Sequence, residues 1–206
     1  MGDPNVLDAG KVLGIYASQK PNNVIPRLDE GATVLRGWGS AGSYVIDDID
    51  GVLSGLDGLP ENLPYGDIHN RLEPDTDRVE DLFGQNAKEV NGRHVAPFST
   101  VIRNGVGACL EKAMLTQLAL QCTTGVQEHY LIPIGSVKQG EYFDPHAFNL
   151  AKRNGAWFLI DTQIPLSIDE NHIVRPYIAP VLGINSRKGH IAVREDWQLG
   201  RTYSLV

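Results

Sequence analysis

The sequence predicts an α+β fold in which one long apolar helix packs on an antiparallel sheet. The helix is indicated by residues 109–122, whose apolar side chains point to most sides of a helical projection. The sheet is indicated by three stretches of strand character: 128–135, 141–151 and 156–161. The last two flank Asn154-Gly155, the preferred dipeptide of a two-residue hairpin turn, so we expect them to pair.

The bulk composition limits the classes of partner. A chain of 206 residues suits one domain, with room for an extra lobe. The net charge of −7 argues against nucleic acid or an anionic membrane as the main partner. No apolar run reaches transmembrane length, and the N-terminal stretch lacks the apolar core of a signal peptide. We therefore expect a cytoplasmic protein, or one that a specialised secretion system delivers into another cell.

The first part of the chain differs in amino-acid composition from the rest. Residues 1–75 are rich in Gly, Pro, Asp and Asn, and these turn residues interrupt the short apolar pieces. We predict a loop-rich N-terminal lobe over 1–75, without an assigned role, and a core over 76–206. The core is expected to open with a helix, because apolar residues recur at helical spacing from 79 to 90. Asp75, Thr76 or Asp77 would cap its start.

The two cysteines, Cys109 and Cys122, lie near the two ends of the long apolar helix. Their Cα atoms would be roughly 20 Å apart at the rise of an α-helix, too far for a disulfide. Both are therefore expected to be free thiols, as in a reducing compartment. Cys109 follows Gly107 and enters the first helical turn, where unpaired N–H groups and the helix dipole favour a thiolate. From the helix alone, an inert core cysteine is an open alternative.

The hairpin turn fixes which side chains share a face of the sheet. If Asn154-Gly155 forms a type I′ turn, Leu150 faces Leu159 and Phe148 faces Asp161. His146, two residues before Phe148, then lies on the same face as Asp161 and is its diagonal neighbour. The register therefore predicts a His146–Asp161 side-chain pair, whereas a slip of one residue would place the two on opposite faces.

A cysteine at a helix start together with such a histidine–aspartate pair is a nucleophilic constellation. His146 would take the proton of the Cys109 thiol, and Asp161 would orient the imidazole. The oxyanion formed from an attacked carbonyl would lie near the Cys109 backbone N–H and one further donor. We consider Asn104 and Trp38 as that donor.

These residues resemble the transglutaminase-like superfamily of papain-fold cysteine enzymes. The family pattern has Gly-x-Cys at a helix start, His-Ala-(aromatic)-Asn on one strand and an aromatic-rich strand that ends in Asp. The matching segments are Gly107-Ala108-Cys109, His146-Ala147-Phe148-Asn149 and Trp157 to Asp161. The resemblance covers roughly residues 78 to 165. It implies a papain-like core with Cys109 as nucleophile, His146 as base and Asp161 as orienting residue.

The sequence departs from the animal transglutaminases, which have Trp where Leu110 follows Cys109. The chain is also too short for their additional domains, so their protein cross-linking activity is not implied. What the resemblance implies is thiol-dependent acyl chemistry on a protein or peptide amide, through an acyl-enzyme. The outcome would be hydrolysis, glutamine deamidation or transamidation, because the acceptor depends on access to the cleft. A bacterial effector or toxin would fit by analogy.

Two other functions stay open at this point. One is a CoA-dependent acyltransferase resembling the arylamine N-acetyltransferases, although the Arg-Gly-Gly-x-Cys lead-in of that family is missing. The other is an inactive interaction module that keeps only the fold. We expect no metal and no cofactor, because the other histidines lack zinc-type spacing and no phosphate-binding loop is present. The sequence does not indicate an oligomeric state.

Overall fold

The computed structural model describes residues 5–37 and 42–206, which form helices and strands in mixed order. The helices are α1 Ala9–Gln19, α2 Ile49–Leu53, α3 Tyr65–Arg71, α4 Thr76–Asn86, α5 Phe98–Arg103, α6 Cys109–Cys122 and α7 Glu195–Gln198. The strands of the N-terminal half are β1 Val6–Leu7, β2 Thr33–Leu35, β3 Gly42–Val45, β4 Lys88–Val90 and β5 Arg93–Pro97. The later strands are β6 Val126–Gln139, β7 Tyr142–Arg153, β8 Ala156–Asp161, β9 Ser167–Ile168, β10 Val174–Arg175, β11 Tyr177–Asn185, β12 His190–Val193 and β13 Arg201–Ser204.

A closed antiparallel barrel forms one side of the molecule. Its strand order is β11-β12-β13-β6-β7-β8, and β8 pairs back with β11 to complete the ring. The short strand β1 adds to β11 outside the ring. Aromatic and branched side chains, among them Phe148, Tyr177 and Tyr203, fill a buried cluster that these strands share. The α+β class is confirmed, and the predicted antiparallel sheet is part of this barrel.

The predicted hairpin register is confirmed. In the β7–β8 pair, Leu150 faces Leu159 and the pairing runs to Asn149 opposite Ile160. Asn154 and Gly155 have φ of 52° and 77°, the two positive values that a type I′ turn requires. The Asn154-Gly155 turn thus determines which face of the sheet each side chain of β7 and β8 occupies.

Helix α6 is enclosed between the barrel and a second, four-stranded sheet. That sheet has the order β2-β3-β5-β4, with β3 and β5 parallel. Apolar residues of α6, such as Met114 and Leu118, share one buried cluster with Tyr44 of β3 and with Leu131 and Ala147 of the barrel. Burial on several faces, as the sequence predicted, fixes the position of the helix start relative to β7.

The helix predicted up to residue 90 ends earlier, and this part of the prediction was wrong. Asp75 caps α4 as expected, with its carboxylate accepting the Arg78 N–H at 3.0 Å. The helix stops at Asn86, and Lys88–Val90 form β4 in a hairpin with β5. The reason is a second Asn-Gly turn: Asn91 and Gly92 have φ of 50° and 75°. The apolar spacing at Ala87 and Val90 concealed this hairpin signal.

Residues before 76 contribute both to the barrel side of the fold and to the four-stranded sheet. Helix α1 and strand β1 lie against the barrel, whereas β2 and β3 belong to the four-stranded sheet. The boundary at residue 75 stays a prediction. Within 5–37 and 42–206, no helix has the length and apolar character that crossing a membrane demands.

Candidate active site

Cys109 is the first residue of α6 and is partly exposed. Ala108 before it is extended, and its N–H donates to the Glu111 carboxylate at 2.9 Å. This buried carboxylate caps the helix from within its first turn. Gly107 permits the tight lead-in, because a Cβ there would come within 2.7 Å of Glu111 Cβ and 2.9 Å of Leu72 Cδ1. The Gly-x-Cys segment therefore delivers the sulfur to a helix start with free backbone N–H groups.

His146 and Asp161 form the side-chain pair that the hairpin register predicted. His146 Nε2 lies 2.8 Å from Asp161 Oδ2, and both side chains are buried. The same carboxylate accepts a hydrogen bond of 2.6 Å from the Tyr203 hydroxyl. Its other oxygen accepts the backbone N–H groups of Gln163 and Ile164, each at 3.0 Å. These four hydrogen bonds hold the Asp161 carboxylate in one orientation beside the imidazole.

The charge of Asp161 controls the protonation of His146. Burial by itself would lower the pKa of His146, but the Asp161 carboxylate and the Cys109 sulfur outweigh burial and raise it. Because Nε2 is bound to Asp161, Nδ1 is the ring nitrogen left to exchange a proton with Cys109. The arrangement favours an imidazolium next to the sulfur.

Tyr203 is a part of this site that the sequence reasoning missed. Besides its hydrogen bond to Asp161, its ring lies 6.2 Å from the His146 ring, while Phe148 stacks on His146 at 6.4 Å. Burial and the Asp161 charge raise the pKa of Tyr203, so it remains a neutral donor. Tyr203 belongs to β13, near the C-terminus, and reaches Asp161 only because the barrel closes.

Lys112 is a second residue that was not anticipated. It lies one turn after Cys109 and is 1% exposed. Burial lowers its pKa to about 8, and the Asp161 carboxylate opposes that change only in part. No sequence pattern marks this residue, because a lysine in an otherwise apolar helix is expected to extend to solvent.

Asn149, the last residue of the His-Ala-Phe-Asn segment, ties β7 to α6. Its side-chain amide donates to Gln117 Oε1 at 3.2 Å, and the Gln117 amide nitrogen bonds the Pro26 carbonyl at 3.0 Å. The same nitrogen lies 2.9 Å from His129 Nδ1. This buried network sets the register of the helix against the strand that carries His146.

Cys109 and His146 line one cleft of about 290 Å³. Its walls are mainly apolar, with Pro133 and Ile134 on β6 and Pro145 on β7. Arg36, at the end of β2, is the other charged residue on the cleft surface that the structure describes. The cleft is large enough for a small acyl group or a few atoms of a peptide side chain.

The two residues considered as oxyanion donors have different outcomes. Asn104 does not line the cleft in the described structure; its exposed side chain donates to the Thr100 carbonyl at 2.8 Å, at the end of α5. The Asn104 amide thus binds the end of its own helix and does not reach the cleft. Trp38 lies outside the described residues. The Cys109 backbone N–H, in the first turn of α6, is the donor that the described site offers.

Among the described residues, no group of three His, Cys, Asp or Glu side chains is arranged to hold a metal ion. Comparison with models of known protein families found no match. Searches of curated proteins and of solved structures also found no match.

Proposed function

We propose that this protein is a cysteine enzyme with a papain-like, transglutaminase-like core that performs acyl chemistry on an amide. The observation that carries the proposal is the placement of Cys109 and His146 in one cleft, with His146 bound to a saturated, buried Asp161. A buried histidine held by a carboxylate and opposed to a helix-start cysteine meets the geometric demands on a nucleophile, its base and an orienting group.

The proposed reaction proceeds in two halves. Cys109 Sγ transfers its proton to His146 Nδ1 and attacks the amide carbonyl, and the oxyanion accepts the Cys109 backbone N–H. The carbon–nitrogen bond breaks as His146 returns the proton to the leaving nitrogen, which departs as ammonia or an amine. A water or a second amine, deprotonated by His146, then attacks the thioester carbonyl. The carbon–sulfur bond breaks, the acid or the new amide is released, and His146 returns its proton to Cys109 Sγ. Asp161 holds the imidazole throughout without changing its own protonation.

The products distinguish the possible reactions. A glutamine-containing protein such as casein would be incubated with the enzyme, with and without a fluorescent primary amine. Ammonia release alone indicates deamidation, amine incorporation indicates transamidation, and new N-termini indicate peptide hydrolysis. Cys109→Ala should abolish the product, whereas Cys122→Ala, at the far exposed end of α6, should not.

The same protein also tests the other two functions. Incubation with acetyl-CoA followed by intact mass measurement detects acetylation of Cys109, which an N-acetyltransferase requires. A folded protein that gives none of these products, and whose Cys109 reacts no faster than Cys122, would be an interaction module. That outcome would refute the proposed enzyme function.

A further inference from the structure

The cleft contains a cationic side chain that the proposed triad does not use. Arg36 directly follows β2, and its backbone N–H donates to the Gly42 carbonyl at 3.1 Å, which continues the β2–β3 ladder. Its side chain is only 10% exposed, yet it lines the cleft together with Cys109 and His146. The strand thus places Arg36 in the lining of the cleft that also contains Cys109.

Helix α4 holds this guanidinium in a fixed position. Arg36 Cζ lies 4.0 Å from the centre of the Phe83 ring, within the range of a cation–π contact. Its Nη1 and Nη2 atoms donate to the two carboxylate oxygens of Glu80 at 3.1 and 2.6 Å. Nε of Arg36 is buried and has no hydrogen-bond partner among the described residues.

The two members of this ion pair differ in exposure. The Arg36 side chain is 10% exposed, whereas the Glu80 side chain is 62% exposed. When the exposed Glu80 carboxylate turns away, solvent hydrates it, whereas the buried Arg36 guanidinium needs another anion in its place. The Arg36 guanidinium therefore stays in place, and another carboxylate of similar geometry can replace Glu80 as its partner.

The rest of the cleft favours an anion over a cation. Its described lining contains apolar residues, Cys109, His146 and Arg36, and no carboxylate. Besides Arg36, the described lining carries the His146 imidazole and the Cys109 sulfur, which share one proton. A negatively charged substrate group would therefore meet the Arg36 guanidinium with no carboxylate in the described cleft lining, in a partly desolvated space where charge interactions are strong.

We propose that Arg36 is a specificity-determining residue that binds a carboxylate of the substrate, close to the amide that Cys109 attacks. This inference rests on the proposed function and specifies its substrate class: an amide whose acyl portion carries a carboxylate within a few bonds of the reacting carbonyl. The substrate carboxylate takes the place of Glu80 on the outer edge of the guanidinium. The chain as a whole has a net charge of −7, so this preference is local and opposes the overall field.

Two alkylating reagents of nearly equal size test the inference without a known substrate. Iodoacetate carries a carboxylate and iodoacetamide a neutral amide, and both form the same type of thioether with loss of iodide from a thiolate. The ratio of their rates at Cys109, measured by peptide mass spectrometry, is divided by the ratio at Cys122. This double ratio cancels the intrinsic reactivity of the reagents and the thiolate fraction of each cysteine.

The variants are expected to move the double ratio in opposite directions. Arg36→Gln should lower it about five-fold, the effect of one unit charge nearby in a partly hydrated cleft. Glu80→Gln, which frees the guanidinium, should raise it about three-fold by the same reasoning. Arg36→Lys, which keeps the charge but loses the planar two-pronged guanidinium, should lower it by less than Arg36→Gln does. Circular dichroism and the melting temperature check that each variant is folded.

The outcomes separate this inference from the proposed function. If Cys109 reacts no faster than Cys122 with either reagent, the proposed function fails. If Cys109 is fast but neither Arg36→Gln nor Glu80→Gln changes the double ratio, carboxylate recognition by Arg36 is refuted and the triad stands. Should Arg36→Gln fail to fold, an unchanged ratio in Glu80→Gln would be sufficient to overturn the inference.

Discussion

Cys109 and Cys122 are the same side chain at opposite ends of one helix, and the structure gives them different surroundings. Cys109 occupies the first turn, at the end of the helix that has unpaired backbone N–H groups, and His146 lines the same cleft. Cys122 is the last helical residue and is exposed, at the end of the helix that has unpaired carbonyl groups. The comparison predicts that the reactivity of each thiol depends on its end of the helix and on the barrel side chains that lie there.

The largest effect is expected from removing each thiol in turn. Cys109→Ala should lower the rate of the proposed acyl chemistry by about a thousandfold or more, because no other nucleophile forms the acyl-enzyme. Cys122→Ala should leave the rate within about two-fold, since its exposed side chain is remote from the cleft. Product formation from a glutamine-containing protein is the measurement. Equal losses of product formation in Cys109→Ala and Cys122→Ala would show that the two cysteines do not differ in function.

Asp161 should matter to stability as well as to reactivity. Asp161→Asn removes a buried anion that accepts four hydrogen bonds, and we expect a loss of about 3 kcal/mol in the free energy of unfolding. The pKa of His146 is higher in the folded protein than in the unfolded chain. At a pH above the unfolded value, the folded protein therefore binds more protons than the unfolded chain. The contribution of the pair is therefore complete below about pH 6.5 and falls as pH rises through the folded pKa.

Urea unfolding of the protein and of Asp161→Asn across pH 6 to 10 measures this contribution. The difference between the two should shrink steadily with rising pH. A difference that grows with pH would contradict the assigned direction of the His146 shift, and with it the imidazolium that distinguishes the Cys109 end of the helix.

Lys112 gives a pH dependence of the opposite sign. The pKa of Lys112 is about 8 in the folded protein, below its value in the unfolded chain. At pH values between these two pKa values the unfolded chain binds more protons, so the free energy of unfolding rises with pH in that range. Lys112→Met should remove this rise and increase the free energy of unfolding at pH 7 by about 2 kcal/mol. Lys88→Met, at an exposed position, is the matched control. If Lys112→Met destabilises the protein at pH 7, the buried ammonium has a stabilising partner that this account lacks.

The smallest effect is expected at Tyr203. Tyr203→Phe removes one hydrogen bond to Asp161 but keeps the ring packed near His146, so we expect a loss of about 1 kcal/mol in stability. If Tyr203 positions Asp161, the pH profile of Cys109 alkylation should also move, while that of Cys122 stays. A stability change without any movement of the Cys109 profile would show a purely structural role.

The local parts of the site could be predicted from the sequence. The Asn154-Gly155 turn determined the register of β7 and β8, and the register determined that His146 meets Asp161. The start of α6 at Cys109 was likewise encoded by small residues followed by an apolar helix. Each of these features depends on residues close in the chain, or on strands joined by a two-residue turn.

The non-local parts could not be predicted. Tyr203 reaches Asp161 across 42 positions of sequence, through closure of the barrel by strands that carry no turn signal comparable to Asn-Gly. Arg36 faces the cleft because β2 joins a sheet whose partners come from two separate parts of the chain. The helix prediction past Asn86 was wrong because helical spacing and a short hairpin competed for the same residues.

The central claim is that His146 makes Cys109 a reactive thiolate, and its most direct test is alkylation by iodoacetamide as a function of pH. Rates at Cys109 and Cys122 would be read separately by mass spectrometry, in the unsubstituted protein and in His146→Ala. We predict that at pH 6 Cys109 reacts at least about ten-fold faster than Cys122, and that His146→Ala removes this advantage. A Cys109 that reacts no faster than Cys122, or that is indifferent to the loss of His146, would contradict the account.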